Sequence, residues 1–173
     1  LAGDVEQQYS LIVKHLHQMA AELGRPDGIG LALTGPTAPE RGVVLLPGKI
    51  KGMEGFPIVP RLAEEFGVPV RADNDGRAAM FAEKYVGHAR DKRWAVTLTI
   101  GTGIGSGVML ERVILWDPHL QFGTQIGHLV LDYTYDQLCQ TGARGTSEMV
   151  CSSCSLVLAV RSGLQRGIPS VVN

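Results

Sequence analysis

The chain has 173 residues, of which 45% are hydrophobic and 19% charged, and its formal net charge is −1. This composition predicts one globular domain or slightly more, excludes a disordered chain and lends no electrostatic support to nucleic-acid binding. The longest run without a charged side chain, Trp94–Leu110, has 17 residues and contains four glycines, so we expect no membrane-spanning helix. Three cysteines without framework spacing and the lack of a secretory signal favour a cytoplasmic location.

The chain opens with a helical pattern over Val5–Leu23, in which apolar residues recur at steps of three and four. Asp4 and Gln7 resemble a capping box at the start of this helix. Gly24 suits its C-terminal end, since glycine adopts the left-handed conformation without strain. The sequence therefore predicts one amphipathic helix that buries a single face.

Three short apolar runs bounded by turn residues predict strands at Gly28–Leu33, Gly42–Leu46 and Val68–Ala72. Between the second and third run, the spacing of apolar residues predicts a short helix over Ile58–Phe66, ended by Gly67. Helices and strands therefore alternate in this half of the chain, which is typical of an α/β fold.

The second half begins with a helix predicted from Asn74-Asp75 to about Val86. Three strand-like segments follow, and then a final helix: Trp94–Ile100, Gly107–Trp116, Ile126–Leu131 and Glu148–Arg161. Because the loop between the first two strands is short, we expect part of the sheet to be antiparallel. The fold class predicted from these elements is α/β.

The loop between those two strands is rich in glycine from Gly101 to Gly107. It does not match the dinucleotide-binding fingerprint, because Ser106 stands where that fingerprint needs glycine and no helix follows. The segment from Gly42 to Lys49 fails as a Walker motif, since five residues instead of four separate its glycines. Two interpretations of the loop remain open: a backbone cradle for phosphate, or a hairpin without a ligand.

Polar residues also stand at the junction of a predicted strand and helix, where Asp73-Asn74-Asp75-Gly76 occurs. Asp75 alone is explained by a helix cap, because a carboxylate is stabilised by the free N–H groups of a helix N-terminus. The alternative is a functional carboxylate at the carboxyl end of a strand, where α/β sheets place their ligands. There it would accept a proton from a substrate hydroxyl that Asn74 orients.

His128 and Glu148 form a third candidate, since glycine-containing segments flank both of them. Their hydrogen-bonding side chains suit a small polar ligand. Taken singly, a surface histidine and a glutamate at a helix N-terminus are the commoner explanations of these two residues.

Together, these segments resemble the ROK (repressor, open reading frame, kinase) family, whose pattern is Asn-Asp, Gly-Thr-Gly-Ile-Gly, Glu-Ile-Gly-His and Cys-x-Cys-Gly-x-x-Gly-Cys-x-Glu. The matching segments here are Asn74-Asp75, Gly101–Gly105, Gln125–His128 and Cys139–Glu148, and Gly28–Pro36 resembles the family's Gly-Leu-Pro-Gly-Pro segment. The resemblance implies an α/β actin-like ATPase (ribonuclease H-like) fold with a mixed sheet flanked by helices. Residues 1–76 would belong to its small N-terminal lobe and residues 77–173 to its larger C-terminal lobe.

The resemblance implies ATP-dependent phosphorylation of a hydroxyl on a hexose or N-acylated hexosamine, with ATP and magnesium as cofactors. Asp75 would be the catalytic base, and Asn74 would hold a neighbouring hydroxyl. The sugar would be bound further by Gln125, His128 and Glu148, and nucleotide phosphate would lie on Gly101, Thr102 and Gly103. Phosphoryl transfer depends mainly on positioning and charge stabilisation, which these parts supply.

The chain departs from the family pattern in the residues of a structural zinc site, which takes the histidine and three cysteines. His128 and Cys139 remain, but Thr141 and Thr146 replace the other two cysteines. Because threonine hydroxyls are poor zinc ligands, we predict no metal site. Cys151 and Cys154 have a spacing found in zinc sites, but on a predicted helix they are more typical of free cysteines.

Two further departures concern activity. Gln125 replaces the family's glutamate, which removes a charge-assisted bond and predicts weaker sugar binding or a changed sugar preference. The chain also lacks the family's Asp-x-Gly-Gly-Thr phosphate loop and stops at Asn173, so we expect a fragment or a remnant. Such a chain would be inactive alone, and its uncovered sheet would make it a homo-oligomer.

Three functions remain open for the protein: a sugar kinase, a sugar-sensing transcriptional regulator of the same family, and a catalytically dead homologue. The expected partners of this chain are a sugar and a nucleotide. Neither a membrane nor nucleic acid is expected to bind it.

Overall fold

A computed structural model describes residues 4–45, 50–116, 125–139 and 141–169. These residues fall into two compact units. The first contains the described residues up to Ala78 together with Trp116, and the second contains the described residues of 79–115 and those after 124. No helix in the described ranges combines the length and the apolar character needed to cross a bilayer.

The first unit is built on a two-stranded parallel sheet of β1 (Ile29–Leu33) and β4 (Val70–Asn74). The helices α1 (Val5–Leu23) and α2 (Ile58–Phe66) supply most of its remaining core. Leu62 is fully buried in that core, where a side chain of its size contributes about 1.5–3 kcal/mol relative to an exposed one.

Two helix ends in this unit follow the sequence prediction. Gly24 and Gly67 both have positive φ, and the N–H of each donates to the carbonyl of the residue four positions earlier. The capping box predicted at Asp4 is wrong, because no side chain caps this helix. Its apolar face is also only partly buried, since Leu23 is 80% exposed.

A small antiparallel ladder of β2 (Thr37–Ala38) and β3 (Val43–Val44) completes the first unit. The predicted strand Gly42–Leu46 is therefore much shorter, and Leu46 lies outside the described residues. The predicted strand Val68–Ala72 is displaced by two residues, so that β4 ends at Asn74, where α3 (Asp75–Tyr85) begins directly.

The second unit contains a three-stranded antiparallel sheet in the order β5 (Ala95–Ile100), β6 (Ile104–Leu110), β7 (Val113–Ile114). The antiparallel pairing predicted across the glycine-rich loop is confirmed. The single strand predicted over Gly107–Trp116 is wrong, because the chain turns at Glu111 and Arg112, whose φ angles are 50° and 65°.

The strand predicted over Ile126–Leu131 is also wrong. Ile126–His128 forms a 3-10 helix, and only Val130 makes an isolated bridge, to Thr146. The predicted helix Glu148–Arg161 is divided into α4 (Ser147–Cys151) and α5 (Ser153–Gln165). Ser152 separates them because its hydroxyl accepts a hydrogen bond from the N–H of Ser155 and caps α5.

Candidate functional site

The carboxylate of Asp75 is held at the point where β4 passes into α3. Its Oδ1 accepts hydrogen bonds from the Gly76 N–H at 2.9 Å and from Asn74 Nδ2 at 3.0 Å. Asp75 is nevertheless exposed to solvent. This arrangement presents a charged oxygen in a fixed orientation, as a general base requires.

Asn74 is buried and uses all of its hydrogen-bonding capacity within the first unit. Its Oδ1 accepts from the N–H groups of Gly76 and Arg77, at 3.0 and 3.3 Å. Its Nδ2 donates to Asp75 and to the carbonyl of Gly35, at 3.0 Å each. Asn74 therefore caps α3 and orients Asp75.

A buried ion pair stabilises the turn between β4 and α3. Arg77 is fully buried, and its Nη2 donates to Oδ1 of Asp73, which also accepts the N–H of Asn74 at 2.6 Å. The Arg77 guanidinium also lies 5.9 Å from the centroid of the Trp116 ring. These contacts restrain the backbone immediately before Asp75.

The glycine-rich loop of the second unit is a tight turn between β5 and β6. The Gly101 N–H donates to the Gly103 carbonyl at 3.0 Å, which closes the turn. The Gly101 carbonyl accepts from both the N–H and the hydroxyl of Ser153, at 2.9 and 2.7 Å. Thr102, at the tip, is exposed. The loop thus offers bare backbone, supported by the start of α5.

Glu148 approaches this loop closely. A Cβ placed on Gly103 would lie 2.8 Å from Oε2 of Glu148, so a side chain at this position would require the carboxylate to shift. Glu148 lies in the first turn of α4, and the exposed fraction of its side chain is 18%. Backbone from the proposed phosphate loop and a carboxylate from the proposed sugar site are therefore neighbours.

Glycines also explain the position of His128. A Cβ on Gly127 would overlap the carbonyl oxygen of Ile104, so that only glycine allows the 3-10 helix to pack against β6. Gln125 precedes this helix, and its carbonyl accepts the N–H of His128 at 3.0 Å. The imidazole Nδ1 of His128 then lies 3.7 Å from Oε1 of Glu148.

The two segments that carry His128 and Glu148 are tied together by hydrogen bonds. Ser147 donates its N–H to the Leu129 carbonyl at 2.8 Å and its hydroxyl to the Ile126 carbonyl at 2.6 Å. Gly145 has a φ of +60°, and a Cβ there would overlap the carbonyl oxygen of Asp132. The glycine is required for this close contact.

Cys139 is a third member of the group, which sequence analysis considered only as a remnant of a zinc site. Its Sγ and the donor atoms of His128 and Glu148 all lie within 4.8 Å of one another. Burial raises the pKa of the Cys139 thiol, but hydrogen bonds from Thr141, Ala143 and His128 outweigh it and lower that pKa to about 7. The spacing of Cys139 and His128 in the family pattern was the available signal for this contact.

The described residues thus place the predicted site residues in two groups. Asn74 and Asp75 belong to the first unit. The others belong to the second unit: Gly101, Thr102, Gly103, Gln125, His128 and Glu148. Within the second group, the contacts above join the glycine loop to Glu148 and Glu148 to His128.

Comparison with known proteins identifies relatives over nearly the whole chain. The ROK family profile matches residues 4–168. A glucokinase from Thermotoga maritima is 30% identical over 144 residues, which are 83% of this chain and 45% of the relative.

Solved structures show the same relationship. A ROK family transcriptional regulator, a homologue of the E. coli MLC protein, matches with a TM-score of 0.80 and 31% identity over 96% of this chain and 41% of its own. A ROK hexokinase from Thermus thermophilus has a TM-score of 0.78 and 32% identity, covering 95% of this chain and 54% of its own. A Streptomyces griseus ROK glucokinase, solved with glucose and AMPPNP, shares the fold (TM-score 0.73, 22% identity, 91% and 50% coverage).

The chain spans about half the length of the relatives that it matches. Its mixed α/β architecture is a partial actin-like ATPase fold, as the resemblance implied. With a family profile covering all but the ends of the sequence, the chain belongs to the ROK family.

Proposed function

We propose that the protein containing this chain is an ATP-dependent kinase for a hexose or N-acylated hexosamine. The observation that carries the proposal is the turn at Asp75, where Asn74 and the Gly76 N–H hold an exposed carboxylate at the carboxyl end of a strand. A helix cap alone does not account for this, since Asn74 already caps α3.

In the proposed reaction, Asp75 accepts the proton of a sugar hydroxyl while that oxygen attacks the γ-phosphorus of ATP. A bond forms between the sugar oxygen and phosphorus, the bond to the bridging oxygen breaks, and ADP leaves. A general base of this kind contributes about 10²–10⁴-fold to a rate. Asn74 fixes the direction of the carboxylate, which serves the positioning that phosphoryl transfer requires.

The remaining residues would bind the two substrates. His128 and Glu148 offer an imidazole and a carboxylate to sugar hydroxyls, and Gln125 lies immediately before them. The backbone of Gly101, Thr102 and Gly103 would receive nucleotide phosphate, and Mg²⁺ would accompany the nucleotide.

The test is sugar-dependent ADP formation by the full-length gene product, measured with glucose, mannose and N-acetylmannosamine. We expect turnover with at least one sugar and a loss of turnover on Asp75→Asn substitution. Undiminished turnover by the Asp75→Asn variant would remove the base from this mechanism.

A sugar-sensing regulator is the second candidate, favoured by the match to a ROK transcriptional regulator. Such a protein binds sugar through the same residues and does not turn over ATP. Glucose binding by calorimetry without ADP formation would support it, whereas the absence of any sugar-induced rise in melting temperature would favour a catalytically dead homologue.

We also propose that the chain by itself forms homo-oligomers. Val96, Leu98 and Ile100 on β5 are each more than half exposed, and in the described residues β5 pairs with β6 alone. Such an open apolar edge favours association. Light scattering tests this proposal, and a monomer at all concentrations would contradict it.

A further inference from the structure

Arg77 is a fully buried cation in the first turn of α3, two residues after the proposed base. Asp75, in contrast, is exposed to solvent. An arginine is almost never fully buried unless it is paired, because removing its charge from water is costly. Neither the Asn-Asp motif nor the proposed reaction requires a cation at this position. Its role therefore has to be inferred from its contacts.

The guanidinium of Arg77 uses only part of its hydrogen-bonding capacity. Its Nη2 donates to Oδ1 of Asp73, and its central carbon lies 5.9 Å from the centroid of the Trp116 ring. Within the described residues, Nε and Nη1 have no hydrogen-bond partner. Because buried N–H groups without a partner are costly, we do not expect this ion pair to stabilise the fold more than apolar side chains of similar size would.

The ion pair instead fixes Asn74 from two sides. Oδ1 of Asp73, which accepts from Arg77, also accepts the N–H of Asn74 at 2.6 Å. The backbone N–H of Arg77 donates to the side-chain oxygen of Asn74 at 3.3 Å. Both the backbone and the side chain of Asn74 are therefore hydrogen-bonded to members of the ion pair.

Asn74 transmits this restraint to the carboxylate of Asp75, because its Nδ2 donates to Oδ1 of Asp75 at 3.0 Å. The side chain of Asp73 is 21% exposed, so without the guanidinium its carboxylate would be free to turn towards water, where a charge is better solvated. The N–H of Asn74 would then lose its acceptor. The contacts that orient Asp75 therefore depend on Arg77.

We propose that Arg77 is a positioning residue, which acts on the base Asp75 through Asp73 and Asn74. This inference rests on the proposed kinase function. A displacement of about 1 Å from the productive geometry lowers a rate by about 10²-fold, so a fixed carboxylate is worth a buried ion pair that does not stabilise the fold. The base and the residues that orient it are all contained in the five positions from 73 to 77.

The test removes both charges, because removing one partner of a buried ion pair leaves the other charge unpaired and destabilises the fold. Asp73→Ala and Arg77→Met are combined in the full-length protein, with glucose, mannose or N-acetylmannosamine as the sugar, whichever gives turnover. We expect kcat to fall about 10–100-fold. The Kd for sugar, measured by calorimetry, should change less than about twofold, and the melting temperature by less than about 5 °C.

Arg71→Met is the matched control, because Arg71 is an exposed arginine on the same strand, and its Nη1 donates to the carbonyl of its neighbour Val70. This variant should leave kcat, sugar affinity and melting temperature unchanged. A folded double variant that retains full kcat overturns the proposal. A parallel loss of kcat, sugar affinity and melting temperature also overturns it, since that result indicates a purely structural role.

A second measurement does not depend on turnover. In protein labelled isotopically at asparagine, the side-chain amide signals of Asn74 are identified in NMR spectra by their loss in an Asn74→Ser variant. These N–H groups are buried and hydrogen-bonded, and we expect them to exchange with solvent at least about tenfold faster in the double variant. Unchanged exchange overturns the proposal, whatever the kinetic result. Absence of turnover in the unmodified protein would refute the kinase function, and the exchange rates alone would then decide whether Arg77 positions Asn74.

Discussion

The predicted site residues of the two units differ in how completely their side chains are hydrogen-bonded. In the first unit, every hydrogen-bonding position of Asn74 has a protein partner, and Asp75 is held by two hydrogen bonds. In the second unit, the buried Nδ1 of His128 has none among the residues that the structure describes. The supporting residues do not differ in this way, since Nε and Nη1 of Arg77 in the first unit and Oγ1 of Thr146 in the second are all buried without a partner in the same described ranges. A group that reacts is best held in one orientation by the protein, whereas a group that binds must leave hydrogen-bonding capacity for its ligand. The difference supports the proposed base at Asp75 and the proposed binding role of His128.

The largest effect should follow from removing the reacting carboxylate. Asp75→Asn keeps the size of the side chain and an oxygen acceptor for the Gly76 N–H, but an amide does not take the proton. We expect kcat to fall about 10²–10⁴-fold while the Kd for sugar changes little. Coupled assays and calorimetry on the full-length protein measure the two quantities. Asp91→Asn, at an exposed carboxylate, is the control and should leave both unchanged.

The packing of the second region can be tested by comparing two glycines with positive φ. Gly145→Ala should be destabilising by about 2–5 kcal/mol, because left-handed strain adds to overlap with the Asp132 carbonyl. Gly142 also has positive φ but nothing within 4 Å of a Cβ, so Gly142→Ala should cost only about 1–2 kcal/mol. Urea unfolding measures both. Equal losses of unfolding free energy in the two variants would mean that the close contact of Gly145 with the Asp132 carbonyl does not affect stability.

The elements of the fold that could be predicted are those whose conformation depends on local sequence features. The helices Val5–Leu23 and Ile58–Phe66 were predicted correctly because apolar spacing and a terminal glycine are local features. The strand predicted over Ile126–Leu131 was wrong because a long-range contact, Gly127 against the Ile104 carbonyl, decides its conformation. The turn at Glu111 was missed because a charged residue with positive φ carries no local turn signal.

The candidate site shows the same limit. Short motifs identified the residues, and two glycines in them have a clear physical reason, because a Cβ on Gly127 or on Gly145 would overlap a backbone carbonyl. Short motifs could not show that Cys139 would lie against His128 and Glu148, because that grouping depends on three segments meeting in space. The motifs also could not show that the side chain of Asn74 uses its hydrogen bonds to cap α3 and to hold Asp75.

The smallest expected effect is a pH dependence of the stability of the folded chain. The pKa of Cys139 is lowered from its ordinary value of 9.0 to about 7, so the folded state favours the thiolate. The resulting stability is fully present above pH 9, declines as the pH falls towards 7, and is absent below that. With a chelator present, the urea midpoint of the chain should rise from pH 7 to 9 more than that of the Cys139→Ser variant. Cys151→Ser, at an exposed thiol, should behave like the unmodified chain.

The central claim is that the carboxylate of Asp75 accepts the proton of a sugar hydroxyl. A crystal structure of the full-length protein with glucose measures this directly. We predict that a carboxylate oxygen of Asp75 lies about 2.5–3.0 Å from a hydroxyl of the bound glucose. Glucose bound with the Asp75 carboxylate out of hydrogen-bonding reach of every hydroxyl would contradict the claim.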